Sequence, residues 1–244
     1  MKHIYLVPLL LVAQINSAQA GFFSASDKKA GRRLASVNNE IRLNHAKELL
    51  GQKSYRKSPV VKTSTYKAVN KFILMETTLA LPDKWRKSAL QLSNAIIVEA
   101  NRYNLDPLFL LAVMKHESLV NPDAIGGVGE IGLMQIRPET AKWIAEMYKI
   151  KWKGVKSLVN PAYNVKIGAA YLDYLRGKFD HGQLYLSAYN MGPTAVRNAL
   201  SRNIRPKDYS SNVMRHYITL NEQLLTFLNL NNPRVRHQMV AAQD

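Results

Sequence analysis

Apolar residues recur along this chain at intervals of three and four, and no sustained apolar/polar alternation and no Asn-Gly or Asp-Gly hairpin turn interrupts that spacing. The pattern predicts an all-α protein. Leu34, Val37, Ile41 and Leu49 mark one amphipathic helix, Val69, Phe72, Ile73 and Met75 a second, and Leu90, Leu92, Ile96, Ile97 and Ala100 a third. Residues 51–65 read as a loop. From Asp106 onward the punctuation sharpens. Asp106 is an N-cap type followed by Pro107, whose missing N–H is harmless at the first helical position, and Asn121-Pro122 bars continuation, so a helix is expected over 107–118. A glycine-rich loop, 126–132, follows. Further helices are predicted over 138–149, 161–176 with Asn160 as cap and Gly177 past the end, 184–190, 193–200 and 211–227, with a loose tail from 231.

Composition adds a compartment to this picture. Lys2 and His3 precede an apolar run from Ile4 to Ala13, and Ala18-Gln19-Ala20 is a small-x-small cleavage signal, so residues 1–20 read as a signal peptide. The run is broken by Pro8 and falls short of the roughly 20 apolar residues a membrane span requires. The chain has no cysteine, which excludes disulfides, thiolate metal sites, a cysteine nucleophile and a lipoprotein anchor. An exported protein of the periplasm or cell wall, without lipid, is expected.

The formal charge is +17 and is unevenly spread. Residues 21–90 carry 15 Lys and Arg against 5 Asp and Glu, a net of +10, whereas residues 91–244 carry 18 against 12, a net of +6. The basic first third predicts attraction to polyanions, which outside the cytosol means anionic wall polymers, membrane surfaces or a partner in a secretion or division complex. Export and the lack of a basic-aromatic motif argue against nucleic acid.

For chemistry, Glu117 stands out. It follows Leu110, Val113 and Met114 at helical spacing, and a carboxyl group on an apolar stripe has its charged form disfavoured, as a general acid working near neutral pH needs. The helix by itself fits equally a carboxylate reaching solvent at a helix end. Metal chemistry has little support: His3, His45, His116, His181, His216 and His237 contain no pair at ligand spacing and no His-Glu-x-x-His. Gly-x-Ser-x-Gly is also absent.

A wider constellation bears on the choice. Glu117-Ser118, Gly132-Leu133-Met134-Gln135-Ile136 with Pro138 and Thr140-Ala141, then Asn160-Pro161, Asn164, Gly168, Tyr171-Leu172, Ala188-Tyr189-Asn190 and Gly192-Pro193 together resemble the catalytic domain of soluble lytic transglycosylases, over roughly 104–217. The resemblance implies a goose-lysozyme-like helical domain, here over 91–230 after a basic helical region over 21–90. Its groove would take peptidoglycan glycan strands and need no cofactor. Glu117 holds the family's catalytic position, where it would protonate the glycosidic oxygen, then take the proton of the muramic 6-hydroxyl as a 1,6-anhydro ring closes. Tyr189 corresponds to the tyrosine holding the acid by its hydroxyl. Gln135, Asn190, Met134 and Ser118 correspond to substrate-lining positions, with Met134 near a sugar face.

Two positions depart from the pattern: Gly126 replaces a common serine and Glu130 a small apolar residue. Glu130 either faces solvent or approaches the groove as a second carboxylate, which would favour hydrolysis by a lysozyme-type route; Asp123 is the other acid nearby. A non-catalytic wall-binding or assembly module is a further reading.

Overall fold

A computed structural model describes residues 42–47, 49–50, 67–179 and 181–230. The signal segment at 1–20, the first helical stripe up to Ile41, the 51–65 loop and the tail from 231 lie outside the described residues. Residues 42–47 are helical. They are followed by α1 (Lys67–Ala80), a 3-10 turn (Asp83–Ser88), α2 (Ala89–Arg102), α3 (Pro107–Ser118), α4 (Pro138–Met147), a second 3-10 turn (Val155–Val159), α5 (Pro161–Lys178), α6 (Gly182–Met191), α7 (Pro193–Ser201) and α8 (Asp208–Leu230). Among the described residues extended pairing is limited to the isolated bridges Ile125–Ile131 and Ile131–Ile136. The protein is all-α in these residues.

The helix starts follow from capping chemistry. The Asp106 carboxylate accepts the Leu108 N–H at 2.8 Å, and the Asn160 amide oxygen accepts that of Tyr163 at 2.9 Å. Proline opens α3, α4, α5 and α7. One predicted end is corrected. Gly177 lies inside α5, which runs on to Lys178 and leaves through an extended Phe179 (φ −125°, ψ 121°), so no left-handed terminal residue is needed.

Helix α3 is the axis of the fold. Its residues Pro107 to Met114 are all buried, so the stripe expected from Leu110, Val113 and Met114 is part of a helix enclosed on every side. α8 and α2 pack on it, α1 and α5 pack on α2, and α6 bridges α5 and α8. On α2 the buried face is Ala89, Leu92, Ser93, Ile96, Glu99 and Ala100; Leu90, expected in the stripe, is 60% exposed because it lies two positions, about 200° of helical turn, from Leu92.

The same core takes in Ala46, Leu49, Val69, Phe72 and Ile73. Polar ties reinforce that packing. Arg42 Nε donates to Asp106 Oδ2 at 2.7 Å with both side chains buried, and the Tyr217 hydroxyl donates to the same oxygen at 3.1 Å. Lys115 on α3 pairs with Glu76 on α1 at 2.7 Å. The helix carrying Glu117 is therefore gripped from the chain that precedes it at both its N-terminal cap and its last turn. No helix among the described residues is long and apolar enough to cross a membrane.

Candidate active site

Helix α3 ends where the apolar packing ends. Leu119 turns left-handed (φ 53°, ψ 32°) with its N–H on the Lys115 carbonyl, the bond of a left-handed helix cap, and the Val120 N–H reaches back six positions to the Met114 carbonyl. Glu117 thus sits on the last turn of a helix whose first two turns are buried, half-buried itself at the edge of the core.

The segment 121–137 folds back over this end as a small network of turns. Gly126 N–H donates to the Glu130 carbonyl at 2.8 Å, Gly132 N–H to Ala124 at 2.8 Å, and Ile131 and Ile136 exchange both backbone bonds. Asn164, fully buried on α5, fixes the loop from below: its Nδ2 donates to the Ile131 and Leu158 carbonyls at 2.9 and 2.8 Å, and its Oδ1 accepts the Met134 N–H at 2.8 Å. Gly132 (φ +79°) is needed for space as well as conformation, because a Cβ there would lie 2.6 Å from the Leu158 carbonyl oxygen. Ser118 closes the joint by donating to the Leu133 carbonyl at 2.8 Å.

Glu117 lies at the meeting point. The Tyr209 hydroxyl, at the start of α8, donates to Glu117 Oε1. Burial, opposed by this hydrogen bond and aided by the negative charge of Glu130, lifts the Glu117 carboxyl from the ordinary 4.5 to about 7. Burial and the facing Glu117 carboxylate hold Tyr209 well above the usual tyrosine range, so it remains a hydroxyl donor. Behind it the ring of Tyr189 stacks on Tyr209 at 6.3 Å, and Tyr171 packs on Tyr189 at 5.3 Å. His116 lays its edge on Tyr209 from the other side, at 5.0 Å. The arrangement can hold one proton near neutral pH on a rigidly oriented carboxyl, which suits general acid and then general base catalysis.

Residues 94–212 match the family model described as the transglycosylase SLT domain. Over that stretch, just under half of its length, the chain is similar to the SLT domain. Its curated relatives include a soluble lytic murein transglycosylase of Salmonella typhimurium, 38% identical over 94 residues that make up 38% of this chain and 15% of that protein. Another is a membrane-bound lytic murein transglycosylase C of Histophilus somni, 38% identical over 109 residues, covering 40% of this chain and 30% of the other. The chain thus spans less than a third of the length of these two relatives. Among solved structures it is similar to the 70 kDa soluble lytic transglycosylase of Escherichia coli, with 23% identity, a TM-score of 0.49, and coverage of 78% of this chain and 35% of that one.

Within the matched stretch the residues singled out from the sequence divide into two groups. Glu117, Gln135 and Asn190 keep some surface: the first two are half-buried and Asn190 is exposed. Gln135 donates its Nε2 hydrogens to the Ala124 and Gly132 carbonyls at 3.1 and 2.9 Å, in a left-handed backbone (φ 45°) that turns its side chain back across the loop. The others serve the frame. Met134 is fully buried, and a Cβ on Gly168 would lie 2.8 Å from its Cε, so it packs against α5. Ser118 has its hydroxyl proton on Leu133. Tyr189 donates to the Met134 carbonyl at 2.7 Å, and the hydroxyl expected from it on the acid comes from Tyr209.

Tyr209 was missed because it lies 92 positions from Glu117, and no local spacing links the two. Asp123 is occupied elsewhere, accepting from Trp85 Nε1 at 2.6 Å and pairing with Lys84 at 2.8 Å. Glu130 does not stand free in solvent: its side chain is only 20% exposed and pairs with Arg137 at 3.1 Å.

Proposed function

We propose that this chain is an exported peptidoglycan lytic transglycosylase that cleaves the β-1,4 bond between N-acetylmuramic acid and N-acetylglucosamine and leaves 1,6-anhydro-muramic ends. The observation that carries the proposal is the state of Glu117: a half-buried carboxyl raised to about 7, oriented by Tyr209, at the mouth of an SLT domain. A carboxyl that titrates at about 7 is protonated in part of the molecules at neutral pH, and gives its proton to the glycosidic oxygen as the C1–O bond breaks. The acetamido group of the same sugar stabilises the charge at C1. The resulting Glu117 carboxylate takes the proton of the 6-hydroxyl as O6 bonds to C1, so the acid is regenerated and no water is consumed.

Residues 91–230 form the catalytic domain in this reading, with a goose-lysozyme-like groove in which Gln135 and Asn190 touch the sugars. The basic region at 21–90 meets an anionic wall or membrane surface, or a secretion or division complex, and its N-terminal end is delivered by the signal segment at 1–20. Export is supported by the Lys2-to-Ala20 pattern.

The test is mass spectrometry of soluble fragments after peptidoglycan digestion by the protein and by Glu117→Gln. Fragments one water lighter than reducing muropeptides, absent with the variant, are expected. Reducing-end products would replace the transglycosylase with a lysozyme-type hydrolase, and equal release by the variant would remove Glu117 from the mechanism.

A further inference from the structure

Gly126 has no left-handed φ, so its backbone places no demand on glycine; the demand is for space. A Cβ at this position would overlap the Glu130 Oε2 oxygen, lie 2.8 Å from Gln135 Oε1 and 3.1 Å from Glu130 Cβ. The Glu130 carboxylate therefore occupies the room that any side chain at 126 would use. It is held there at both oxygens: Oε1 accepts from Arg137 Nε at 3.1 Å and Oε2 from the Val128 N–H at 3.2 Å. Burial works against its charge, but its own backbone N–H, Arg137 and Val128 outweigh that and keep the carboxyl below the ordinary glutamate value, so it is anionic at neutral pH. Its charge acts on Glu117.

From this geometry we infer that Gly126 and Glu130 are one reciprocal unit, in which the absent side chain at 126 seats the Glu130 carboxylate as a substrate-contacting acceptor that selects a hydrogen-bond donor on the sugar beside Glu117. The inference rests on the proposed reading of the site as glycan-binding. A carboxylate offers about four acceptor positions, and Arg137 and Val128 take two of them. Glu130 Oε2 and Gln135 Oε1 both border the position that a Cβ of Gly126 would take, and the Glu130 side chain keeps 20% of its surface exposed. A sugar hydroxyl or amide N–H that meets this exposed edge is bound by a charge-assisted hydrogen bond, whereas a carbonyl or carboxylate is repelled. Glu130 thereby supplies specificity, and its charge is a secondary support for the protonated state of Glu117.

The experiment is a double-mutant cycle of Gly126→Ser, Glu130→Ala and the pair, with Glu130→Gln alongside, read by thermal stability and by kcat and KM on peptidoglycan. Gly126→Ser should lower Tm by several degrees and reduce activity, and the paired variant should regain most of the lost Tm. Additive Tm changes would overturn the shared-space claim, and they are read without substrate. Glu130→Ala should raise KM about tenfold, the effect of one charge-assisted hydrogen bond, with kcat changed far less. Glu130→Gln keeps an acceptor, so it should hold KM closer to the parent while moving the alkaline limb of the pH profile to lower pH. An unchanged KM in Glu130→Ala would overturn substrate recognition by Glu130. A parent protein with no activity on peptidoglycan would instead count against the proposed function, and the Tm cycle would still decide whether the two positions share one space.

Discussion

Replacing Glu117 by glutamine should stabilise the protein relative to the parent, progressively as the pH rises from 4.5 to about 7. The carboxyl titrates near 7 in the folded chain against an ordinary 4.5. A folded-state value raised above the unfolded one means that the group favours folding while protonated. That contribution is fully present below 4.5 and is lost as the pH rises through 7. The difference corresponds to about 3 kcal/mol between the two ends of the window. Glutamine stays neutral throughout and can still accept the Tyr209 hydroxyl hydrogen, so the variant avoids the loss. Tm should be measured for both proteins at pH 4.5 and pH 8.5, and the quantity of interest is how the variant-minus-parent difference changes, since other titrating groups cancel in it. For a chain of this size about 3 kcal/mol is roughly 6–12 °C, so the glutamine variant should gain on the parent by that amount at the higher pH. A Tm difference independent of pH would show that Glu117 ionises as an ordinary surface glutamate, and the assignment of a neutral-pH acid would fall with it.

The other predictions concern its surroundings. Tyr209→Phe removes a hydrogen bond that lowers the Glu117 value, so the alkaline limb of kcat/KM should move to higher pH while the maximum falls about tenfold from lost orientation; an unmoved limb would separate Tyr209 from the acid. Tyr189→Phe should leave both limbs in place and cost about 1–3 kcal/mol in denaturant unfolding, because the buried Met134 carbonyl loses its donor. Arg42→Ala should destabilise by about 3–5 kcal/mol by leaving the Asp106 carboxylate buried and unpaired, and Asp106→Asn in that background, which keeps the capping oxygen and drops the charge, should recover part of it. No recovery would mean that Arg42 acts through packing alone.

The helices were legible because their starts are written locally: Asp106-Pro107 and Asn160-Pro161 put a capping oxygen and a donor-free residue side by side. Glu117 was legible for the same reason, as a charged residue at helical spacing from Leu110, Val113 and Met114. What stayed hidden depends on contacts far apart in sequence. Tyr209 and Tyr189 are both tyrosines near glycines or helix ends, and only the packing of α8 on α3 decides which hydroxyl meets the acid. Met134 sits beside Gln135 in one loop, and the sequence does not show that Asn164 and Gly168 on α5 hold Met134 inward while Gln135 turns back across the loop. Leu90 failed for a smaller reason: two positions from Leu92, it points to nearly the opposite side of α2.

The Arg42–Asp106 pair has a consequence for modularity. The matched segment begins at residue 94, yet the cap of the helix that carries Glu117 is neutralised by a guanidinium 64 positions upstream, and Glu76, also outside the match, holds that helix's last turn through Lys115. Similarity therefore outlines a segment whose mechanical footing lies outside it. Grafted onto another chain as residues 94–212 alone, the segment would arrive with a buried carboxylate seeking a cation, and each host lineage would have to invent its own.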